Sequence, residues 1–161
     1  MRKSNFKNLG WVLGAVAACL MMATEVQPAH AEPAWKVRKE IASTVHEFYA
    51  RYLGATKKPK DKNLVLQSHL TPEFYLSIQD SFEEMDADPV IRSEYIGADY
   101  RRKIHVYNVR VDADGLARAD VRLGELPQGA KSPNGPVKLR LKLQRVDNRW
   151  KIASVDRGFD N

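Results

Sequence analysis

A single cysteine in 161 residues leaves the chain no way to close an internal disulfide, and no cysteine-rich metal site is within reach. Glycine (9) and proline (8) are too few for a collagenous or low-complexity chain. The sequence also has no Gly-rich phosphate loop, no paired-histidine metal helix and no serine elbow, which removes the common nucleotide, zinc and serine-hydrolase signatures. Neither sign of charge dominates: 26 Lys and Arg face 20 Asp and Glu, for a net charge of +6. With 43% apolar and 29% charged residues, the composition is neither that of a disordered chain nor that of a multi-span membrane protein. One domain is expected at this length.

The first 31 residues read as an export signal. Arg2, Lys3 and Lys7 open it, and Leu9 to Ala23 is an uncharged apolar run that falls short of the ~20 residues a secure membrane span requires. Ala29-His30-Ala31 then offers small side chains at the two positions a signal peptidase inspects, predicting cleavage between Ala31 and Glu32. Val16-Ala17-Ala18-Cys19 offers a second route, lipidation at Cys19, but Leu20, Met21 and Met22 prolong the apolar run where lipoproteins turn polar. The reading is a periplasmic or secreted product, with a lipoprotein anchored through Cys19 as the alternative. Cleavage after Ala31 removes Arg2, Lys3, Lys7 and Glu25, so 26 basic and 20 acidic residues become 23 and 19, a net +4. A single domain over 32–161 remains, with no cysteine and no membrane span, and it must fold by packing alone.

Val37, Ile41, Val45, Phe48, Tyr49, Tyr52 and Leu53 lie on one face of a helix of period 3.6, and Lys36, Arg38, Lys39, Glu40, Glu47 and Arg51 lie on the other. Gly54 is expected to end that helix in a left-handed conformation. Lys57 to Lys62 reads as a solvated connector in which Pro59 breaks any helix, and Leu64 to Leu70 as a short helical lead-in. Thr71-Pro72-Glu73 is a helix start: a capping hydroxyl, a proline whose missing donor costs nothing, and an acid near the positive end of the dipole. Phe74, Ile78, Phe82 and Met85 continue that helix until Asp86-Ala87-Asp88-Pro89 stops it.

From Ile104 the period becomes two. His105, Tyr107, Val109 and Val111 alternate with Val106, Asn108 and Arg110, and Asp112 to Gly115 supplies a turn. Ala117, Ala119, Val121 and Leu123 alternate with Arg118, Asp120 and Arg122. A Gly- and Pro-rich loop from Gly124 to Pro136 leads to Val137, Leu139, Leu141 and Leu143, which alternate with Lys138, Arg140, Lys142 and Gln144. Asp147-Asn148 is a two-residue turn into a last strand carrying Trp150, Ile152 and Ser154. Helices first and a four-stranded antiparallel meander after them predict an α+β domain with the helices on one face of the sheet.

Val45 to Leu53 (VHEFYARYL), Leu70 to Phe74 (LTPEF), Asp86 to Pro89 (DADP) and Asn148 to Ile152 (NRWKI) occur in an order that resembles the domain of unknown function 3828 family. The resemblance covers about Lys36 to Val155. It implies an exported bacterial protein with a cone-shaped, nuclear-transport-factor-2-like fold, a long helix and shorter ones cupped by a curved sheet. It implies no activity, because that fold hosts enzymes, binders and assembly modules alike. Ser93-Glu94-Tyr95 stands where relatives often carry a Gln-Asp pair, so no role attached to that pair transfers.

Three groups of residues are candidates for function. His46, with Asp86 or Asp88, is the candidate catalytic pair of a small hydro-lyase or isomerase, since acid–base chemistry needs two such groups converging in a hollow. A calcium loop starting at Asp86 is excluded, because Ile91 and Gly97 stand where glycine and glutamate are required. Tyr49, Tyr52, His105, Tyr107 and Trp150, with Tyr75 and Phe82 beside them, are the candidate wall of a small-ligand pocket. Arg110, Arg118, Arg122, Lys138, Arg140 and Lys142 occupy the polar side of three strands and form a candidate basic face for acidic proteins, lipid headgroups or glycans. Export and the lack of interleaved aromatics disfavour nucleic acid. No metal or cofactor is expected. The reading favoured by the residues is a non-catalytic binding or interaction module of the cell envelope, working through the hollow or the basic face. An enzyme or an immunity-type protein that neutralises a partner is the alternative, and the sheet is also where two copies would pair.

Overall fold

The computed structural model describes residues 32–55, 58–84, 86–97, 99–125 and 135–158. All lie in one compact unit, Glu32–Asn161. The expected export signal, with its cleavage point at Ala31 and the lipidation candidate Cys19, lies outside the described residues, as do Met85 and the side chain of Phe82. Three helices, α1 (Ala34–Gly54), α2 (Pro59–His69) and α3 (Pro72–Glu84), precede four strands, β1 (Ile104–Val111), β2 (Ala117–Leu123), β3 (Val137–Val146) and β4 (Arg149–Arg157). The strands form one curled antiparallel sheet in the order β1-β2-β3-β4.

α1 follows its apolar stripe. Ile41, Val45, Phe48, Tyr49, Tyr52 and Leu53 are buried against β1, β2 and β4, and Val37 is partly buried against the same core. Its last residue, Gly54, does not adopt the expected left-handed conformation: it is absent from the positive-φ residues, and Ala55 caps the helix with φ −91°. The Arg101 guanidinium packs over Gly54, where a Cβ would meet it at 3.1 Å. Pro59 likewise opens α2 instead of interrupting a connector, since proline in a first turn sacrifices no hydrogen bond.

The junction of α2 and α3 is stitched to the sheet. Thr71 Oγ1 accepts the amide of Phe74 at 3.2 Å, capping α3, while the Thr71 amide donates to the Ile152 carbonyl at 2.9 Å. Leu70 forms a parallel bridge with Ile152, and Arg92 Nε donates to the Val155 carbonyl at 3.0 Å, so the outer edge of β4 is partly covered. Asp147 and Asn148 both have positive φ (50° and 61°), the pair that a tight β3–β4 hairpin requires.

The inner face of the sheet supplies half of the core: Ala117, Ala119, Val121, Leu123, Leu139, Leu141, Leu143, Ile152 and Val155 are all buried. The helices supply the rest. β1 departs from simple alternation, because the register shifts between Tyr107 and Arg110 and Asn108 sits at φ 51°. This bulge keeps Ile104 and Val106 inward before it and Val109 inward after it, while His105, Tyr107 and Arg110 all turn outward and Val111, at the end of the strand, is exposed.

Candidate functional site

Among the described residues, the space between helices and sheet is occupied by buried side chains. Phe48, Tyr49 and Tyr52 are fully buried, with the rings of Phe48 and Tyr52 stacked 5.5 Å apart. The Tyr49 hydroxyl donates to the Val90 carbonyl at 3.2 Å and the Tyr52 hydroxyl to Asp88 Oδ2 at 2.7 Å. Burial, and then the Asp88 charge, pushes both phenols above their ordinary range, so they stay neutral donors. Trp150 is buried beneath Arg145, whose guanidinium lies 5.2 Å from the ring centre and also reaches Glu32 and Glu40 at 3.2 Å. Of the expected pocket wall, Tyr49, Tyr52 and Trp150 are therefore core residues. His105 and Tyr107 stand on the opposite side of the sheet, paired with Arg122 and Asp120.

The expected acid–base pair is likewise not assembled. His46 is exposed on α1 and Asp86 is exposed beyond α3. Asp88 has its oxygens engaged: Oδ2 receives Tyr52 and, at 3.0 Å, Lys62 Nζ, while Oδ1 receives the amides of Val90 and Ile91, each at 3.0 Å. These four bonds fix the chain after α3, which is structural work for a carboxylate.

The outer face is different. Strand register arranges its side chains in rows. His105, Arg122 and Lys138 lie directly across from one another on β1, β2 and β3. The next row is Tyr107, Asp120, Arg140 and, on β4, Asp156. The third is Arg110, Arg118, Lys142 and Ser154; alternation predicts Ser154 on the same face as Trp150 and Ile152, but a register shift between β3 and β4 after Lys142 turns it to the opposite one. All six residues of the candidate basic face thus lie together on one surface. Asp156, which the sequence pattern did not place there, joins Asp120 in the middle row.

Three of the acids on this face and at its margins, Asp120, Asp112 and Glu125, have partners. Asp120 receives Arg140 Nε at 3.2 Å and Asn108 Nδ2 at 3.0 Å, and Asp112 receives Arg118 Nε at 3.0 Å. Glu125 receives Lys103 at 2.6 Å and faces His105 Nε2 at 3.4 Å; the hydrogen bond from Lys103 is the main cause of a carboxyl held below its ordinary value. Among the described residues, no carboxylate lies within ion-pair distance of Arg110, Arg122 or Lys142. Arg122 Nε is buried without a hydrogen-bond partner.

No protein-family model matches the chain, and no curated protein matches it in sequence. Two solved structures share its fold. One is a protein of unknown function from Bacteroides thetaiotaomicron, 18% identical, with a TM-score of 0.58 over 76% of this chain and 92% of that one. The other is a chain of the type VI effector–immunity complex Tae3–Tai3 from Ralstonia pickettii, 16% identical, with a TM-score of 0.57 over 74% of this chain and 95% of that one. At these identities the likeness is one of fold. Among the described residues no helix is long and apolar enough to cross a membrane, and no three His, Cys, Asp or Glu side chains gather to hold a metal.

Sequence reasoning missed the residues that shape this face. Asn108 was read as an ordinary strand position, yet the spacing of three between Val106 and Val109 marks the bulge, and asparagine tolerates a positive φ. The roles of Asp112 and Glu125 as partners of Arg118 and Lys103 had no local signal, because the register alone brings them together.

Proposed function

We propose that the protein is a binding module of the cell envelope that holds an acidic protein partner on the outer face of its sheet. The observation that carries this reading is the placement of like charges directly opposite one another on central strands. Arg118 stands between Arg110 and Lys142, and Arg122 stands opposite Lys138. Directly opposed like charges destabilise a sheet by a few tenths of a kcal/mol per pair. Edge protection, the usual reason for charge on a strand, does not account for cations on β2 and β3, which are interior to the sheet. A face that costs stability is retained for what it meets.

The filled interior supports binding at a surface over chemistry in a hollow, and the occupied oxygens of Asp88 support the same preference over a His46–Asp88 enzyme. The effector–immunity complex among the structures of like fold supports a protein as the partner, and neutralising such a partner is the mode we favour. The export signal read at residues 1–31 supports the envelope as the place, and the order of motifs supports kinship with the domain of unknown function 3828 family.

Affinity capture from an envelope extract tests the reading, with the wild-type protein run beside the double charge reversal Arg118→Glu, Lys142→Glu. Acidic proteins retained by the wild type should be released as salt rises from about 0.05 to about 0.5 M, because screening shortens the reach of exposed charges. The reversed protein should retain none of them. Retention that ignores both salt and the charge reversal removes the outer face as the binding surface.

A further inference from the structure

A concavity opens along β1, an edge strand of the sheet. Ile104, His105, Val106 and Tyr107 of β1, with Arg122 of β2, line an open concavity of about 520 Å³. Arg122 faces His105 across the strand pair and forms one wall of it. The neighbouring acids are already engaged, Asp120 by Arg140 and Asn108, and Glu125 by Lys103 and His105. Among the described residues the guanidinium therefore carries an unanswered charge inside a recess, whereas Arg110 and Lys142 carry theirs on open surface. Tyr107, 39% exposed, brings a large aromatic side chain to the same recess. Arginine and tyrosine side by side in a recess have the composition of an interface hot spot.

Resting on the reading of the outer face as a protein-binding surface, we propose that this recess takes an aspartate or glutamate side chain of the partner. The planar guanidinium of Arg122 meets the carboxylate, and Tyr107 packs on its methylene stem. A carboxylate fits better than a phosphate group: one guanidinium matches the charge of a monoanion and the two oxygens of a carboxylate in a single bidentate contact. The recess thus supplies specificity for where the acid sits, while the rows around it supply attraction at longer range.

Titration of the ¹⁵N-labelled protein with a hexaglutamate peptide at low salt, followed by NMR, tests the assignment. The largest shift changes should fall on the amides of His105, Tyr107 and Arg122. Arg122→Ala and Arg122→Lys should each weaken peptide binding about tenfold, since lysine keeps the charge and loses the fork, whereas Lys142→Ala should weaken it less than about threefold. Unchanged spectra outside the recess certify that the variants remain folded. Shift changes spread evenly over β1 to β3, with Arg122→Ala no worse than Lys142→Ala, would overturn the recess and leave the basic face standing. No change at any outer-face residue would overturn both. Phosphatidylglycerol vesicles, titrated separately, should leave the recess amides unmoved; if they move them and the peptide does not, the occupant is a lipid headgroup and the proposal fails.

Discussion

The two faces of one sheet differ more than any two segments of the chain. On β2 and along β3 from Val137 to Leu143, each residue that faces the helices is aliphatic and buried, and its immediate neighbour in sequence is charged or half-exposed. Leu141 is fully buried and Lys142 is exposed one residue later. The inner face is built by complementarity with α1 and tolerates only side chains that fill the same space. The outer face is built by register and carries directly opposed cations, and under the proposed function it answers to a partner outside the chain. Stability and binding are thereby separated onto alternate residues of the same strands.

The largest expected effect tests that separation directly. Leu141→Ala removes a fully buried side chain and should lower stability by about 2–5 kcal/mol in urea denaturation, while Lys142→Ala should stay within about 0.5 kcal/mol. Equal losses from the two would erase the division between the faces. Next in size, Asp88→Ala leaves the Tyr52 hydroxyl, Lys62 and two backbone amides without their acceptor, and about 3 kcal/mol should be lost; Asp88→Asn, which retains an acceptor, should lose roughly half of that. If the same variants leave stability intact and change only a catalytic rate, the aspartate belongs to a reaction and not to the scaffold.

A smaller effect of opposite sign separates the faces more sharply. Lys142→Glu places an acid across from Arg118 and should raise stability by a few tenths of a kcal/mol, visible as a rise in Tm, while weakening capture of acidic partners. A fall in Tm would mean that the cationic row is structural. The smallest effect comes from acid. Glu32, beside Lys36 and Arg145, and Glu125, beside Lys103, titrate below their ordinary value of 4.5 when folded. Their pairing therefore contributes fully above that value and is lost as pH falls through the lowered folded values. Both groups are exposed, so the change is at the level of surface ion pairs. Thermal melts between about pH 5 and about pH 3 should show Glu125→Gln losing slightly less stability than the wild type over that interval.

Much of this architecture was legible because its signals are periodic and local. The α1 stripe, the Thr71 cap, the stop after Glu84 and the alternation of β2 and β3 each depend on near neighbours in sequence, and each element forms where the pattern places it. Pro59 and Gly54 were misread because one residue serves several ends: proline opens helices as readily as it breaks them, and Gly54 answers to Arg101, 47 positions away. The candidate site divides the same way. Strand parity puts the five cations of β2 and β3 on one side of their strands, and the bulge at Asn108 lets Arg110 share that side with His105 and Tyr107. His105 and Tyr107 were assigned to the hollow with Tyr49 and Tyr52 because alternation says which residues share a face without saying which face meets the helices.

By itself the sequence determined the elements, their order and the segregation of apolar from charged residues on each strand, since a period of two or 3.6 is a property of the backbone. Tertiary structure decided which side of the sheet the helices cover, that Phe48, Tyr49 and Tyr52 are buried between helices and sheet, and that among the described residues Arg122 has no acid within ion-pair distance while Asp120 and Glu125 are paired elsewhere. Those outcomes depend on register and on a one-residue bulge at Asn108. A single residue of slip there exchanges inside for outside, and only contacts between distant segments fix it.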